Sequence, residues 1–391
     1  MSKPTRARTI GGLKRIRAQM DAEMPRKTRD DTIVLGTWNI RNFDDNRFGS
    51  GPRSDEDIYY LAEILARFDV IAVQEICDDL KPLKRLMNIL GGVYDYVISD
   101  VTEGAGGNGE RLAFIFDRNK VRFTGIAGEL VLPDKMKIDV KGKRSQFART
   151  PFMCSFQSGW FKFMFSTVHI YFGAPSGAKY DRRVKEINQV ASFLAKRAKV
   201  SDHNHILVGD FNIKEKGSKG HNALTRRGFE TFQNKLGSNK DQTKHYDQIS
   251  YWPRENELKI SGHNKCQGVL QFFDSLYREQ DYKSHKPEIK KTINAKITRL
   301  EQDIVDATAH IVKTKSAKVK KDEKDNIIKY KASIKTYKKW LSPAGDADLK
   351  NFYLSEWRTF RGSDHLPLWV ELKIDFSEPY LDKMLAYERT V

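Results

Sequence analysis

Apolar positions along this chain follow two spacings. Short runs that are continuous or alternate with polar residues include TIVLGTWNI (32–40), DVIAVQ (69–74), YDYVIS (94–99), RLAFIFD (111–117), TPFMCSF (150–156), WFKFMFSTVHI (160–170), HILVGD (205–210), HYDQISYW (245–252), GVLQFFDSL (268–276) and SDHLPLWVELKI (363–374). Such runs, rich in β-branched and aromatic residues and bounded by turn formers, predict strands. Between them the period lengthens. Ile58, Leu61, Ala62, Leu65 and Phe68 share one face of a helix over 55–68, and further helices are expected over 80–90 and 179–199. Strand pairs with interspersed helices argue for an α/β sandwich rather than a doubly wound sheet. The Gly-rich stretch Gly104 to Gly109 is either a plain turn or a phosphate cradle.

A third pattern interrupts the last strands. Ile289, Ile293, Ile297, Leu300, Ile304, Ala307 and Ile311 step by three or four residues, and after a charged connection Ile327, Tyr330, Ile334, Tyr337 and Leu341 repeat the step. These predict an antiparallel helical hairpin, its first helix starting near Pro287 and running ~40 Å at 1.5 Å per residue. The expected organisation is a basic N-terminal extension over 1–30, a flexible arm or accessory helix; a catalytic domain over 31–281 and 343–375; an inserted lysine-rich hairpin over 282–342; and a C-terminal tail over 376–391.

Charge sharpens that division. The net charge is +18, of which +6 lies in residues 1–30 and +10 in 282–342, leaving +2 for the rest. Two peripheral basic segments on a nearly balanced body suit a polyanionic partner, nucleic acid or acidic lipid. The hairpin carries sixteen lysines and a single arginine, Arg299, which favours tracking phosphates over reading bases. A solvated coiled coil or a protein-docking arm is the plainer alternative. Cys77, Cys154 and Cys266 fit neither a disulfide framework nor a cysteine-rich metal site. With no long apolar span and no apolar leader, a soluble, intracellular (cytoplasmic) protein is expected.

Reactive side chains gather at strand ends: Asn39, Glu75, His169, Asp210 with Asn212, Asp247, and Asp364-His365. In HILVGDFN an apolar strand ends at Gly209, where a ligand or another backbone can approach closely, and Asp210 and Asn212 then point the same way because side chains alternate in extended chain. Each residue has an ordinary structural explanation: an Asx turn for Asp-Phe-Asn, a helix-start acid for Glu75, a core histidine for His169, a cap for Asp364. Six coincidences in one chain are harder to explain that way.

The ordered series WNIRNF, VQE, TVHI, GDFN, YDQI and SDHLP resembles the endonuclease/exonuclease/phosphatase superfamily, whose members include pancreatic deoxyribonuclease, abasic-site endonucleases, sphingomyelinases and inositol polyphosphate phosphatases. The resemblance implies a four-layered α/β sandwich, two packed mixed β-sheets flanked by helices, with the helical hairpin as an insertion. It also implies a Mg2+ site, Mn2+ being an alternative, at Glu75 with Asn39 beside it and Asp364 near the metal or steadying His365. Asp210 and His365 would orient and deprotonate the attacking water, Asn212 and His169 would contact the phosphate, and Asp247 would fix a histidine. Histidine rather than tyrosine at 169 points away from abasic-site repair. Arg111 would be a DNA-contacting arginine or a surface strand cap, and Asp100 would orient His169 or be a turn carboxylate. The activity implied is a DNA endonuclease, RNA being a possible second substrate; the alternative is a phosphatase or phosphodiesterase for inositol phosphates or lipid headgroups. The expected partner is nucleic acid, DNA first, gripped by the basic arm and the hairpin, with a protein partner for the hairpin as the other option.

Overall fold

The computed structural model describes every residue except 103–107, 141, 233–234, 255–256 and 389–391, so most of the Gly-rich stretch lies outside the described residues. The strands are β1 (Thr32–Phe43), β2 (Val70–Cys77), β3 (Tyr94–Ile98), β4 (Glu110–Asp117), β5 (Arg122–Glu129), β6 (Ile138–Val140), β7 (Lys143–Ser145), β8 (Phe152–Ser158), β9 (Phe161–His169), β10 (Asn204–Asp210), β11 (Glu230–Thr231), β12 (Asp247–Tyr251), β13 (Gln267–Val269) and β14 (Leu368–Lys373). The helices are α1 (Lys3–Glu23), α2 (Asp55–Leu65), α3 (Lys81–Leu90), α4 (Gly177–Ala198), α5 (Lys219–Thr225), α6 (Tyr282–Lys313), α7 (Ala317–Leu341), α8 (Asp346–Phe352), α9 (Arg358–Arg361) and α10 (Ser377–Glu388).

Two six-stranded sheets carry the first of two compact units, Met1–Asp44 with Asp55–Leu276 and Gly362–Val391. Their orders are β13-β14-β1-β2-β4-β3 and β11-β12-β10-β9-β8-β5, and both are mixed: β1 runs parallel to β2 and β10 parallel to β9, with antiparallel neighbours outside them. The sheets pack face to face through aromatic rings. Phe114 of β4 lies 5.6, 5.7 and 5.0 Å from Phe152, Phe156 and Phe165 of the facing sheet. Packing on both faces explains why the central strands read as continuous apolar runs. A polar tie crosses this core, Gln74 Nε2 donating to Thr167 Oγ1 at 2.9 Å. Outside the second sheet, Ile187, Val190, Ala191 and Leu194 of α4 join Leu207 and Phe211 in one buried cluster. This is the expected sandwich.

The N-terminal segment is a helix of this unit rather than a flexible arm. Its Gly12 lies so close to Tyr60 that a Cβ would fall 2.2 Å from the hydroxyl. Arg8 pairs with buried Glu56, and Arg17 with Glu63, so two of its cations serve packing. The segment after β14 forms α10, and the stretch 268–276 gives only the end of β13 and then a 3-10 turn over Phe272–Asp274.

The second unit is Asp45–Ser54 with Tyr277–Arg361. It contains the predicted hairpin, with α6 of 32 residues, ~48 Å long, antiparallel to the 25-residue α7. It is larger than the periodicity suggested. Ile289, Ile293 and Ile297 of α6 are buried, and Tyr353 and Trp357 of a π-helical turn (Tyr353–Trp357) after α8 are buried in the same unit. Trp357 Nε1 donates to Thr292 Oγ1 at 3.1 Å. Residues 45–54 join through Lys296 and Arg299, which donate to the carbonyls of Phe48 and Asn46 at 2.8 and 3.2 Å. Two amphipathic helices alone leave the base of α6 exposed, so residues 343–361 belong with the hairpin rather than with the catalytic body.

Candidate active site

The register of the second sheet brings three of the predicted residues side by side. Asp210 is paired with His169 on β9 and with Asp247 on β12. The preceding Gly209 is at φ 126°, and a Cβ there would meet the Val168 carbonyl at 2.1 Å, so β10 can approach β9 this closely only with glycine. From the first sheet, Asn39 ends the regular part of β1. Glu75 sits in a bulge of β2, where the pairing with both β1 and β4 shifts register, at φ 63°. Asn42 and Asn212 also have positive φ, at 45° and 54°. Left-handed backbone at a glutamate costs energy and is found where a side chain must be aimed.

These side chains converge on one buried carboxylate. Asp210 Oδ1 accepts from the Asn212 backbone N–H at 2.8 Å. Its Oδ2 accepts from Asn39 Nδ2 at 3.2 Å and lies 3.6 Å from His169 Nε2 and 3.8 Å from His365 Nε2. Behind each imidazole stands a second carboxylate: Asp247 Oδ2 at 2.7 Å from His365 Nδ1, and Glu110 Oε2 at 3.0 Å from His169 Nδ1. Burial disfavours charge on His365, yet the Asp247 and Asp210 carboxylates raise its pKa well above the ordinary histidine value. Burial also pushes the Asp210 carboxyl upward, with His365 opposing. Glu110 is shifted the other way: burial would raise it, but His169 and Arg149 hold it well below the usual carboxylate range.

Glu75 spans the bulge. Its Oε1 accepts from Asn39 Nδ2 at 2.9 Å and its Oε2 from the Asn42 backbone N–H at 2.8 Å. Asn39 Oδ1 is buried with no hydrogen-bond donor among the described residues. A carboxylate beside an orphaned amide oxygen is a donor set that suits a hard divalent cation. Asp210, Asp247 and His365 also bring ligand atoms within 4.8 Å of one another, but His365 Nδ1 already faces Asp247 at hydrogen-bond distance, which favours the Glu75–Asn39 set. Asp364 is set apart: its side chain is 41% exposed and faces Arg41 at 3.8 Å, so the group that steadies His365 is Asp247. Ser363 ties the loop down, its Oγ donating to the Asn39 carbonyl at 2.6 Å and accepting from the Arg41 and His365 N–H groups, both at 3.1 Å. Asn212 spends one side-chain N–H on the Ile170 carbonyl at 2.9 Å.

Two expectations are corrected or altered. Asp100 does not orient His169: its carboxylate is 88% exposed and accepts from Arg111 at 3.1 Å and from the Val101 N–H at 2.7 Å. The carboxylate at His169 is Glu110, further secured by Arg149 Nε at 2.7 Å and Asn108 Nδ2 at 3.1 Å. Arg111 is engaged by Asp100 and Asp78, both exposed, at the end of β2. Glu110 stands one residue before the predicted strand and beside Arg111, a placement visible in the sequence. Arg149 carries no comparable signal, and Ser363 enters the sequence reading only as the first residue of SDHLP, with no role of its own.

Known proteins supply the context. A family model described as the endonuclease/exonuclease/phosphatase family matches residues 36–263. No protein of curated function matches the chain by sequence. Solved structures with a similar fold include a mannosyl-6-phosphatase of Bacteroides thetaiotaomicron (19% identity, TM-score 0.47, 61% of this chain and 90% of that one). Others are the human Nocturnin catalytic domain with bound sulfate (16%, 0.43, 59% and 85%) and a truncated Caenorhabditis elegans TDP2 (14%, 0.41, 61% and 88%).

Proposed function

The chain belongs to the endonuclease/exonuclease/phosphatase family, whose members hydrolyse phosphoester bonds, and from that premise we propose that it is a divalent-metal-dependent phosphodiesterase acting on nucleic acid, as a DNA endonuclease first and on RNA second. The observation that carries the chemistry is Asp210 Oδ2, faced by Asn39 Nδ2 and by two imidazole Nε2 atoms that are each backed by a carboxylate. A phosphodiester resists attack because it is anionic, so hydrolysis needs a proton acceptor for water and donors at the phosphoryl oxygens. Asp210 is the acceptor, its basicity increased by burial. His365, kept charged by Asp247, and His169, held by Glu110, present N–H donors to the phosphoryl and leaving oxygens. Magnesium, with manganese as a substitute, would be held by Glu75 and Asn39, where it neutralises phosphoryl charge.

Nucleic acid as the substrate rests on charge placement. On α7, Lys321, Lys324, Lys331, Lys335 and Lys338 recur at helical spacing, all exposed, along ~26 Å of helix axis. A stripe of flexible point charges on that scale suits a polymer of phosphates better than one small headgroup. The cations of α1 are in part consumed by packing, so the second unit carries this role.

The test is incubation of the purified chain with supercoiled plasmid, single-stranded DNA, RNA, an inositol polyphosphate and a phosphomonoester, each with magnesium, manganese or EDTA. Metal-dependent nicking of plasmid, abolished by EDTA, is expected. Turnover of the inositol phosphate or monoester with intact plasmid would replace the proposal with a small-phosphoester activity.

A further inference from the structure

A cavity of about 150 Å³ opens beside Asn212, lined by Pro175 and Tyr180 from the approach to and first turn of α4, by Ile213, Lys214 and Glu215, and by Ser218 ahead of α5. At ~30 Å³ per water in liquid, that is room for one ring system and not for a chain. Its wall is built rigidly. Arg183, almost fully buried, donates to the carbonyls of Phe172, Ala174 and Asn212 at 2.9, 3.1 and 3.0 Å, tying the loop after β9 to the end of β10. Those donors are spent, so Arg183 shapes the cavity and does not bind an anion. The Tyr180 ring lies against that guanidinium at 5.4 Å. The Tyr180 hydroxyl and the Lys214 ammonium have no hydrogen-bond or ion-pair partner among the described residues.

Resting on the phosphodiesterase reading above, we infer that this cavity is the subsite for the nucleobase next to the scissile phosphate, the base lying against Tyr180 and Pro175 with its acceptor edge toward Lys214. Three observations support a base. Asn212 lines the cavity and is hydrogen-bonded to Asp210, so a group attached to a phosphate at Asp210 reaches the cavity directly. The Tyr180 ring, Pro175 and Ile213 give the cavity an apolar side that suits a planar face. The polar groups include the Lys214 ammonium, the Glu215 carboxylate and the Tyr180 and Ser218 hydroxyls, enough to meet a base edge without discriminating among the four bases.

The experiment compares kcat/KM of the full chain, with magnesium, on a short single-stranded oligodeoxynucleotide and on an oligomer of the same length built of abasic units. Base stacking on an aromatic side chain predicts a preference of roughly tenfold for the base-bearing substrate. Tyr180→Ala should reduce that preference to under about twofold, whereas Tyr180→Phe should keep it. An equal fall of both rates in Tyr180→Ala, or no preference in the parent chain, overturns the subsite. Binding is measured in parallel in EDTA with thymidine 5′-monophosphate, which separates this inference from the hydrolytic one. Weaker binding to Tyr180→Ala than to Tyr180→Phe supports the subsite even if no nucleic acid is cleaved, and equal binding refutes it.

Discussion

The two imidazoles at the site look alike in composition and differ in what stands behind them. His365 faces Asp247, whose other oxygen, Oδ1, is buried without a donor among the described residues. His169 faces Glu110, whose charge is shared with the buried Arg149 and with Asn108. The difference assigns roles. In the proposed mechanism His365 is the charged group beside Asp210 that would donate to phosphate, while Glu110 fixes the ring of His169.

The largest effects should fall on the Asp210–His365 side. Asp210→Asn and His365→Ala are each expected to lower single-turnover cleavage by at least about 10²-fold with the fold intact by circular dichroism. Equal losses in His169→Ala would erase the distinction between the two imidazoles. Arg149→Met should act chiefly on stability, since it leaves Glu110 charged and buried with one partner fewer: about 3–5 kcal/mol in denaturant titration. A smaller loss would mean that Glu110 takes up a proton when Arg149 is gone.

The pairs also predict opposite pH dependences. Glu110 titrates below the ordinary 4.5, so its contribution to stability is present above that value and is lost as pH falls through it toward about 2. His365 titrates above the ordinary 6.5, so its contribution is complete below 6.5 and is lost as pH rises through its raised pKa. Glu110→Gln should therefore flatten the acid limb of the stability profile and Asp247→Asn the alkaline limb. The fall of kcat/KM at high pH should also move to lower pH in Asp247→Asn; an unmoved limb would mean that the charge on His365 is not required. Glu75→Gln should be milder at saturating metal and should show mainly as a higher magnesium requirement.

Much of this arrangement is legible in the sequence, for a physical reason. Strands buried on both faces leave unbroken apolar runs, and polar residues at their ends stand out, which is how Asn39, Glu75, His169, Asp210 and Asp247 are found. What sits in a loop or is chosen by register is not legible. Glu110 and Asp100 are both acids near one hairpin, and only the pairing of β4 with β2 and β3 decides which one turns inward. Arg149 comes from a loop with no periodicity. The second unit is legible in its helical hairpin and less so in its closing segment, where Tyr353 and Trp357 sit in a π-helical turn between two helices of only seven and four residues.

The central claim is that Asp210, flanked by His365 and His169, hydrolyses a phosphodiester with a divalent cation at Glu75 and Asn39. Its most direct test is the first-order rate of plasmid nicking by the full chain under single-turnover conditions, parent against His365→Ala, with magnesium and with EDTA. Magnesium-dependent nicking that falls at least about 10²-fold in the variant is predicted. Nicking that survives EDTA, or that His365→Ala leaves within roughly tenfold of the parent, would contradict it.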